Sequence, residues 1–202
     1  MVDGCTFGNN TAEENGGALS ASSMTATVTE CAFNGNYATS GGALFGGPST
    51  NVMVDGCTFG NNTAEENGGA LSASSMTLGG DTRLADNSAS NDGGAVYGWD
   101  SDGTIVFDDV FCTNNSAIEH GGCLHSSGKV IINDGTVMLN NTADRGGGIS
   151  TGNEGGDILV NGGEFTGGTC SRGGFLYAGD NTTVNITGGV FADNTVTRRG
   201  GA

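Results

Sequence analysis

Short apolar runs alternate with glycine pairs and polar turns along the whole chain, and the pattern recurs every 25 to 28 residues. In each unit an apolar residue, mostly phenylalanine, is followed in most copies by an asparagine three positions later and then by a glycine pair. The apolar positions are Phe7, Phe33, Phe59, Leu84, Phe111, Met138, Phe165 and Phe191, and the glycine pairs begin at Gly16, Gly41, Gly68, Gly93, Gly121, Gly146, Gly173 and Gly200. Because one such unit cannot bury its own apolar face, this period indicates a stacked array.

The clearest unit predicts three short strands. Residues Gly41–Phe45 follow a glycine turn as one strand, Asn51–Val54 form a second, and Cys57–Phe59 begin a third. Between the third strand and the next glycine pair, Glu65-Glu66-Asn67 is predicted to be an acidic loop. In the next unit Leu78-Gly79-Gly80 occupies the middle-strand position and predicts a bend or loop.

These units contain no helical period, so we predict an all-β fold. Three short strands per unit fit one coil of a right-handed parallel β-helix, with about eight coils and a pectin-lyase-like architecture. We expect a single repeat domain over residues 1–202 that is a fragment of a longer array. The segments Met1–Thr25 and Met53–Thr77 are identical, which indicates a recent duplication of two units.

The recurring side chains have predictable positions in such a coil. The phenylalanine positions and the aliphatic residues after the glycine pairs should form two inward stacks, which gain from area burial and ring contacts. Stacked amides can bond to one another, so we predict a structural ladder along one corner. Its members are Asn10, Asn36, Asn62, Asn87, Asn141 and Asn194.

The fifth unit leaves two alternatives for this register. Either Cys112 takes the inward position and Asn115 joins the ladder, or Phe111 keeps the inward position and the strand contains a bulge. The seventh unit has Gly168 at the ladder position.

The net charge of the chain limits which partners it can bind. With 22 acidic and 6 basic residues the net charge is −16, which repels nucleic acid and anionic membranes. No run of 18 apolar residues exists, so no membrane span is predicted, and no signal peptide is visible.

The pairing of FxxN with GGA[LIV] resembles the repeat of chlamydial polymorphic outer membrane proteins. It occurs as Phe7…Asn10 with Gly16-Gly17-Ala18-Leu19, as Leu84…Asn87 with Gly93-Gly94-Ala95-Val96, and as Phe191…Asn194 with Gly200-Gly201-Ala202. The resemblance implies an autotransporter-passenger-like β-helix that is exported to the cell surface or secreted and that works in adhesion.

The six cysteines fall into two groups. Cys5, Cys31 and Cys57 each lie two residues before an inward phenylalanine, and we favour buried free thiols there over disulfides or a metal. Cys112, Cys123 and Cys170 have no matched partners by spacing. His120 and His125 bracket Cys123, but strand alternation puts only Cys123 and His125 on one side, so no metal site is predicted.

Acidic side chains recur in one loop of the coils, as Glu13-Glu14, Glu65-Glu66 and Glu119. Stacked carboxylates can bind Ca²⁺, but the calcium-binding nonapeptide repeat is absent. We therefore expect solvated charges and no cofactor, with weak Ca²⁺ binding as the alternative.

The position after each inward aliphatic residue should face outward, and in several units it is aromatic. Exposed rings on one face can stack on sugars or anchor a protein, although scattered exposed aromatics are also ordinary. The candidate binding stripe consists of Phe45, Tyr97, Trp99, His125 and Tyr177.

These observations favour a non-catalytic cell-surface or secreted repeat module that acts in adhesion or as a structural element. Its partner would be a surface glycan or protein, and its open coil ends would favour end-to-end association. The alternative is a polysaccharide-acting, pectate-lyase-like enzyme, which would need basic groups against substrate carboxylates. The basic residues are mostly scattered singly, so no catalytic residue is predicted. The six basic residues are Arg83, Lys129, Arg145, Arg172, Arg198 and Arg199.

Overall fold

A computed structural model describes residues 1–22, 25–152 and 156–199 of the chain. In these ranges all of the regular secondary structure consists of β-strands, which confirms the all-β prediction. The first ten strands are β1 (Val2–Asp3), β2 (Thr6–Gly8), β3 (Leu19–Ala21), β4 (Thr25–Thr29), β5 (Ala32–Asn34), β6 (Tyr37–Ser40), β7 (Leu44–Gly46), β8 (Asn51–Asp55), β9 (Thr58–Gly60) and β10 (Thr63–Asn67). The next ten are β11 (Leu71–Ala73), β12 (Ser75–Gly79), β13 (Thr82–Ala85), β14 (Ser88–Ala89), β15 (Val96–Gly98), β16 (Thr104–Phe107), β17 (Val110–Thr113), β18 (Ser116–Ala117), β19 (Leu124–Ser126) and β20 (Lys129–Ile132). The last nine are β21 (Val137–Leu139), β22 (Ile149–Thr151), β23 (Ile158–Val160), β24 (Glu164–Thr166), β25 (Thr169–Arg172), β26 (Leu176–Tyr177), β27 (Val184–Ile186), β28 (Val190–Ala192) and β29 (Thr195–Arg199).

Three long parallel sheets form the walls of a solenoid. One has the order β1-β4-β8-β12-β16-β20-β23-β27, the second β2-β5-β9-β13-β17-β21-β24-β28, and the third β26-β22-β19-β15-β11-β7-β3. Each strand pairs in parallel with its counterpart one unit away. The parallel β-helix is therefore confirmed, with about seven turns rather than eight coils. The eighth glycine pair, Gly200-Gly201, lies outside the described residues.

Two predicted loops are strands. The segment that contains Glu65 and Glu66 is strand β10, which pairs with β6 and β14 in a short fourth sheet. The segment that contains Leu78 is strand β12, which starts at Ser75 and places the fully buried Met76 and Leu78 inward. Both predictions were wrong because the strand begins earlier in the sequence than the glycines or acidic residues that suggested a loop.

The core contains stacked inward side chains from all three long sheets, including Val54, Leu78 and Phe107 of the first sheet. Phe7, Phe33 and Phe59 lie one above the other, with ring centroids 4.8 Å and 4.6 Å apart, and Leu84 continues the stack in register. On the third sheet the stack is aliphatic and runs from Leu19 to Leu176 through matched pairs. Equivalent residues of successive units therefore lie directly above one another, as the repeat predicts.

Both glycines of a pair are required, for different physical reasons. The first has a left-handed backbone, with φ of 61° at Gly41 and 65° at Gly68, where a side chain is strained. At the second, an added Cβ would lie 2.2 Å from a carbonyl oxygen of the next turn, as at Gly42 and Gly69. The pair therefore allows successive turns to approach closely at this corner.

The asparagines three residues after the inward positions Phe7, Phe33, Phe59, Leu84, Cys112 and Met138 form a hydrogen-bonded ladder. The amide of Asn62 accepts from the backbone N–H and the Nδ2 of Asn36 at 3.0 Å and 2.9 Å. It donates to the Asn87 Oδ1 at 3.0 Å and to the Phe33 carbonyl at 3.1 Å. The same bonding links Asn10, Asn36, Asn62, Asn87, Asn115 and Asn141.

The register of the fifth unit is the first of the two alternatives. Cys112 pairs between Leu84 and Met138 in the inward stack, and Asn115 joins the ladder. Phe111 faces outward, where the Arg83 guanidinium lies 4.5 Å from its ring centroid. The ladder stops at Gly168, whose N–H donates to Asn194 instead.

One disulfide crosses the core of this fifth unit. Cys112 of β17 bonds to Cys123, which takes the position that alanine holds in the first four glycine motifs, and both residues are fully buried. Their Cα atoms are 6.2 Å apart, within the disulfide range. The expectation that these cysteines lack partners was wrong, because it considered only pairs on successive turns and this pair joins two walls of one turn.

The other four cysteines are free thiols. Cys31 and Cys57 are buried as expected, and burial is the main cause that raises the pKa of Cys57. Cys170 is also buried. Cys5 is exposed, contrary to expectation, since it lies in the first turn with Cys31 covering it on one side only.

Reduction of the Cys112–Cys123 disulfide is expected to lower the free energy of unfolding by about 2 kcal/mol, since the bridge restricts the unfolded chain. Urea unfolding with and without dithiothreitol measures this difference. A Cys112→Ala/Cys123→Ala variant is the control, and its unfolding midpoint should not respond to reductant. Alkylation of both cysteines in the denatured, unreduced protein would contradict the bridge.

The terminal turns of the described chain are less well covered than the middle ones. Phe7 and Leu19 are only partly buried, and Ile186 and Val190 are 48 % and 60 % exposed. End-to-end association through such turns stays a prediction.

Candidate functional site

The residue directly before each glycine pair occupies one row along the solenoid. In the middle of the chain this row contains Asp92, His120, Arg145 and Arg172, which are linked by parallel bridges. Because each lies one turn above the last, residues far apart in the sequence are neighbours here. The row therefore places a carboxylate, an imidazole and a guanidinium next to one another on three successive turns.

His120 connects its two neighbours in the row. Its Nδ1 lies 2.6 Å from the Asp92 Oδ1, and its Nε2 lies 2.9 Å from the Arg145 guanidinium. Since arginine can only donate, Nε2 accepts and Nδ1 carries the proton donated to Asp92. Burial alone would raise the pKa of Asp92, but the hydrogen bond from His120 and the proximity of His125 outweigh it and lower that pKa.

His125 lies beside this row, on the outward side of strand β19. It is only 6 % exposed, and its ring centroid is 5.4 Å from that of His120. Burial is the main cause that lowers the pKa of His125 to about 4, so the imidazole is neutral at physiological pH. Its Nδ1 is buried and has no hydrogen-bond partner among the described residues, an arrangement that costs about 1–3 kcal/mol.

Three ligand atoms of this cluster converge. One each from Asp92, His120 and His125 lie within 4.8 Å of one another. The expectation that His120 and His125 fall on different sides was wrong, because the turn before the glycine pair carries His120 back over the outward face. Cys123 takes no part, since its sulfur is in the disulfide.

Two tyrosines flank the cluster. The Tyr97 ring stacks on His125 with centroids 5.7 Å apart, and burial is the main cause that raises the pKa of Tyr97. The Arg145 guanidinium lies 5.6 Å from the Tyr177 ring centroid, and His120 lies 6.5 Å from the same ring by centroids. Tyr97, His125 and Tyr177 of the predicted stripe are thus brought together around the row.

The stripe is not the open outer face that the sequence suggested. Phe45, Tyr97, Trp99 and Tyr177 are half-buried, and His125 is buried. The glycine turns lie beside this face: an added Cβ at Gly16 would be 3.1 Å from the Phe45 Cβ, and one at Gly68 would be 3.1 Å from the Tyr97 Cβ. Phe45 and Trp99 make no ring contact with the cluster in the described ranges.

A cleft gives solvent access to the row. It has a volume of about 430 Å³ and is lined by Ile118, Glu119, His120, Asp144 and Arg145. The carboxylate of Glu119, which is 60 % exposed, lies 3.9 Å from the His120 Nδ1. A small ligand can therefore reach His120 through this cleft.

Sequence reasoning missed Asp92 and Arg145 as members of a site. The signal was present, because both directly precede a glycine pair and alignment on those pairs places them one turn either side of His120. Glu65 accepts hydrogen bonds from Tyr37 and Thr39 on the short fourth sheet.

Across the described ranges, no helix has the length and apolar character that a membrane crossing would require.

Comparison with known families gives one match. The Chlamydia polymorphic membrane protein (Chlamydia_PMP) repeat matches residues 4–22 and 56–74. The suspected repeat family is thereby confirmed at these two places, which lie within the two identical segments. Neither the curated proteins nor the solved structures contain a match to the chain.

Proposed function

We propose that this chain is a non-catalytic surface or secreted β-helical module that works in adhesion, with a surface glycan or a protein as its partner. The observation that carries the proposal is the polymorphic membrane protein repeat within a continuous β-solenoid. Together the repeat and the fold support a surface β-helical repeat protein. The role in adhesion is our proposal and goes beyond what the repeat and the fold support by themselves.

The core chemistry supports a location outside the cytoplasm. Disulfides persist in oxidising compartments and are rare where thiols are kept reduced. The buried Cys112–Cys123 bridge fits that environment. The net charge of −16 also keeps an elongated repeat soluble and discourages binding to nucleic acid.

The contact surface that we propose is the patch around Tyr97, Arg145 and Tyr177. Half-buried tyrosines combine an apolar ring with a polar tip, and both sugars and proteins are bound by such groups. Arg145 and Asp92 add hydrogen-bonding groups of opposite charge at the same place. The turns on either side hold the backbone of these residues in register.

We expect Tyr177→Ala to weaken binding of the chain to cultured cells or an immobilised glycan panel about tenfold, the upper end for one ring contact. Tyr37→Ala is the matched control, because Tyr37 lies on the short fourth sheet and contacts Glu65 rather than the patch. Equal losses in both variants, or no binding by the unaltered chain, would contradict the proposed surface. Urea unfolding of both variants separates a binding effect from a stability effect.

The enzyme alternative has its own test. In the described ranges the closest resemblance to an acid–base pair is Asp92 with His120, but the His120 Nε2 is engaged by Arg145. Incubation with polygalacturonate, with and without Ca²⁺, should give no unsaturated product. Release of such product would overturn the non-catalytic assignment.

A further inference from the structure

We propose that Asp92, His120 and His125 form a binding site for a divalent transition-metal ion of the Zn²⁺ type. This site shares Asp92 with the contact surface proposed above, but metal binding does not require that the chain act in adhesion. It joins two successive turns of the solenoid, since Asp92 and His120 pair across a bridge.

The donor set has the right chemistry. Two imidazole nitrogens and a carboxylate oxygen suit Zn²⁺ and the neighbouring first-row ions, whereas Ca²⁺ and Mg²⁺ prefer oxygen alone. Tetrahedral ligand atoms at Zn²⁺ are about 3.4 Å apart, from bond lengths near 2.1 Å. The three ligand atoms here already lie within 4.8 Å of one another, so only small side-chain movements would close the site.

His125 gives an independent reason to expect a ligand. Its Nδ1 is buried without a hydrogen-bond partner in the described part of the chain, and the residue as a whole is only 6 % exposed. The ring is held in place by Tyr97 stacked against it.

The cleft supplies a route and a fourth ligand. Glu119 lies on the open side, with its Oε2 3.9 Å from the His120 Nδ1. A carboxylate there, or a water in the cleft, would complete four-coordination. The acidic net charge of the chain also favours a cation.

Arg145 is the natural competitor of the metal. It donates to the His120 Nε2, which requires the proton to be on Nδ1. A metal bound at Nδ1 would shift that proton to Nε2, so Arg145 would have to withdraw, and the Tyr177 ring that it already faces could receive it. Loss of the guanidinium should therefore strengthen metal binding.

The test is titration of the disulfide-intact chain with Zn²⁺ by calorimetry, and with Co²⁺ by visible absorption. A Cys5→Ser background removes the exposed thiol, which would bind these ions by itself. We expect one ion per chain and a tetrahedral Co²⁺ spectrum. Asp92→Asn and His120→Gln should each weaken binding more than about 100-fold. This exceeds the usual effect of changing a residue that contacts a metal ligand but not the metal.

Matched variants distinguish binding at this site from nonspecific attraction of cations to the acidic surface. Asp144→Asn removes a carboxylate from the same cleft without touching the three ligands, and it should leave affinity unchanged within about twofold. Arg145→Met should raise the affinity for Zn²⁺. Absence of binding by the background chain, or equal losses in Asp92→Asn and Asp144→Asn, would overturn the proposal.

Discussion

Replacing Gly69 with alanine is expected to lower the free energy of unfolding by about 4 kcal/mol, at or beyond the upper end for overpacking. The added Cβ would lie 2.2 Å from the Gly94 carbonyl oxygen and 2.6 Å from that of Ser88. Both are backbone atoms of the next turn, so no side chain can rotate away. Relief requires the two turns to separate, which also weakens hydrogen bonds such as that from the Gly69 N–H to Gly93.

Gly60→Ala is the matched control for this substitution. An added Cβ at Gly60 would lie 3.4 Å from the Asn34 Oδ1 and 4.0 Å from the Ala85 carbonyl oxygen, both ordinary contact distances, and the equivalent positions in adjacent turns are Asn34 and Ala85. It should therefore change stability by less than about 0.5 kcal/mol. The urea midpoints of the two variants measure the contrast. Similar midpoints would mean that close approach of the turns at the glycine pair is not required.

Asn62→Ala is expected to cost about 3 kcal/mol, because it leaves several buried groups without partners. The Asn36 backbone N–H loses the acceptor that it has in the structure, and the Phe33 carbonyl loses a donor. Alanine fills none of these roles, and the site is fully buried, so water does not replace the amide. Urea unfolding monitored by far-ultraviolet circular dichroism measures the loss.

The chain contains a control for the ladder as well. Asn10 is the exposed first member, and its side chain donates to the Asn36 Oδ1. Asn10→Ala makes the same chemical change and should cost about 0.5 kcal/mol, since water can take over the exposed groups. If both variants shifted the midpoint equally, burial of the ladder would not be the source of its stability.

The fold was predictable because the repeat specifies which residues are neighbours. A period of 25 to 28 residues aligns Phe7 with Phe33, and the structure pairs these residues in parallel. The asparagine positions follow in the same way. Period and alternation are enough when a contact joins equivalent positions on successive turns.

The features that the sequence did not reveal are contacts between non-equivalent positions. Cys112 and Cys123 lie on different walls of one turn, so their separation depends on the cross-section of the solenoid, which no period encodes. The placement of His120 against His125 depends on how the turn folds over the outer face. The open outer face predicted for His125 was wrong for the same reason.

The remaining error concerns where strands begin. Glycines at 79 and 80 and acids at 65 and 66 suggested loops, yet β12 and β10 include three of these four residues. In a solenoid the neighbouring turns supply backbone partners on both sides, and this pairing overrides weak local propensity.

The identical segments have an evolutionary consequence. Phe7 and Phe59 occupy equivalent positions in them, and both rings stack on the single Phe33 that separates them. Either copy thus presents the same surface to whatever adjoins it. Unequal recombination between the copies would insert or delete a two-turn cassette and change the length of the rod by about 10 Å. No new interface would need to evolve, so the reach of the molecule can vary between lineages by gene copying alone.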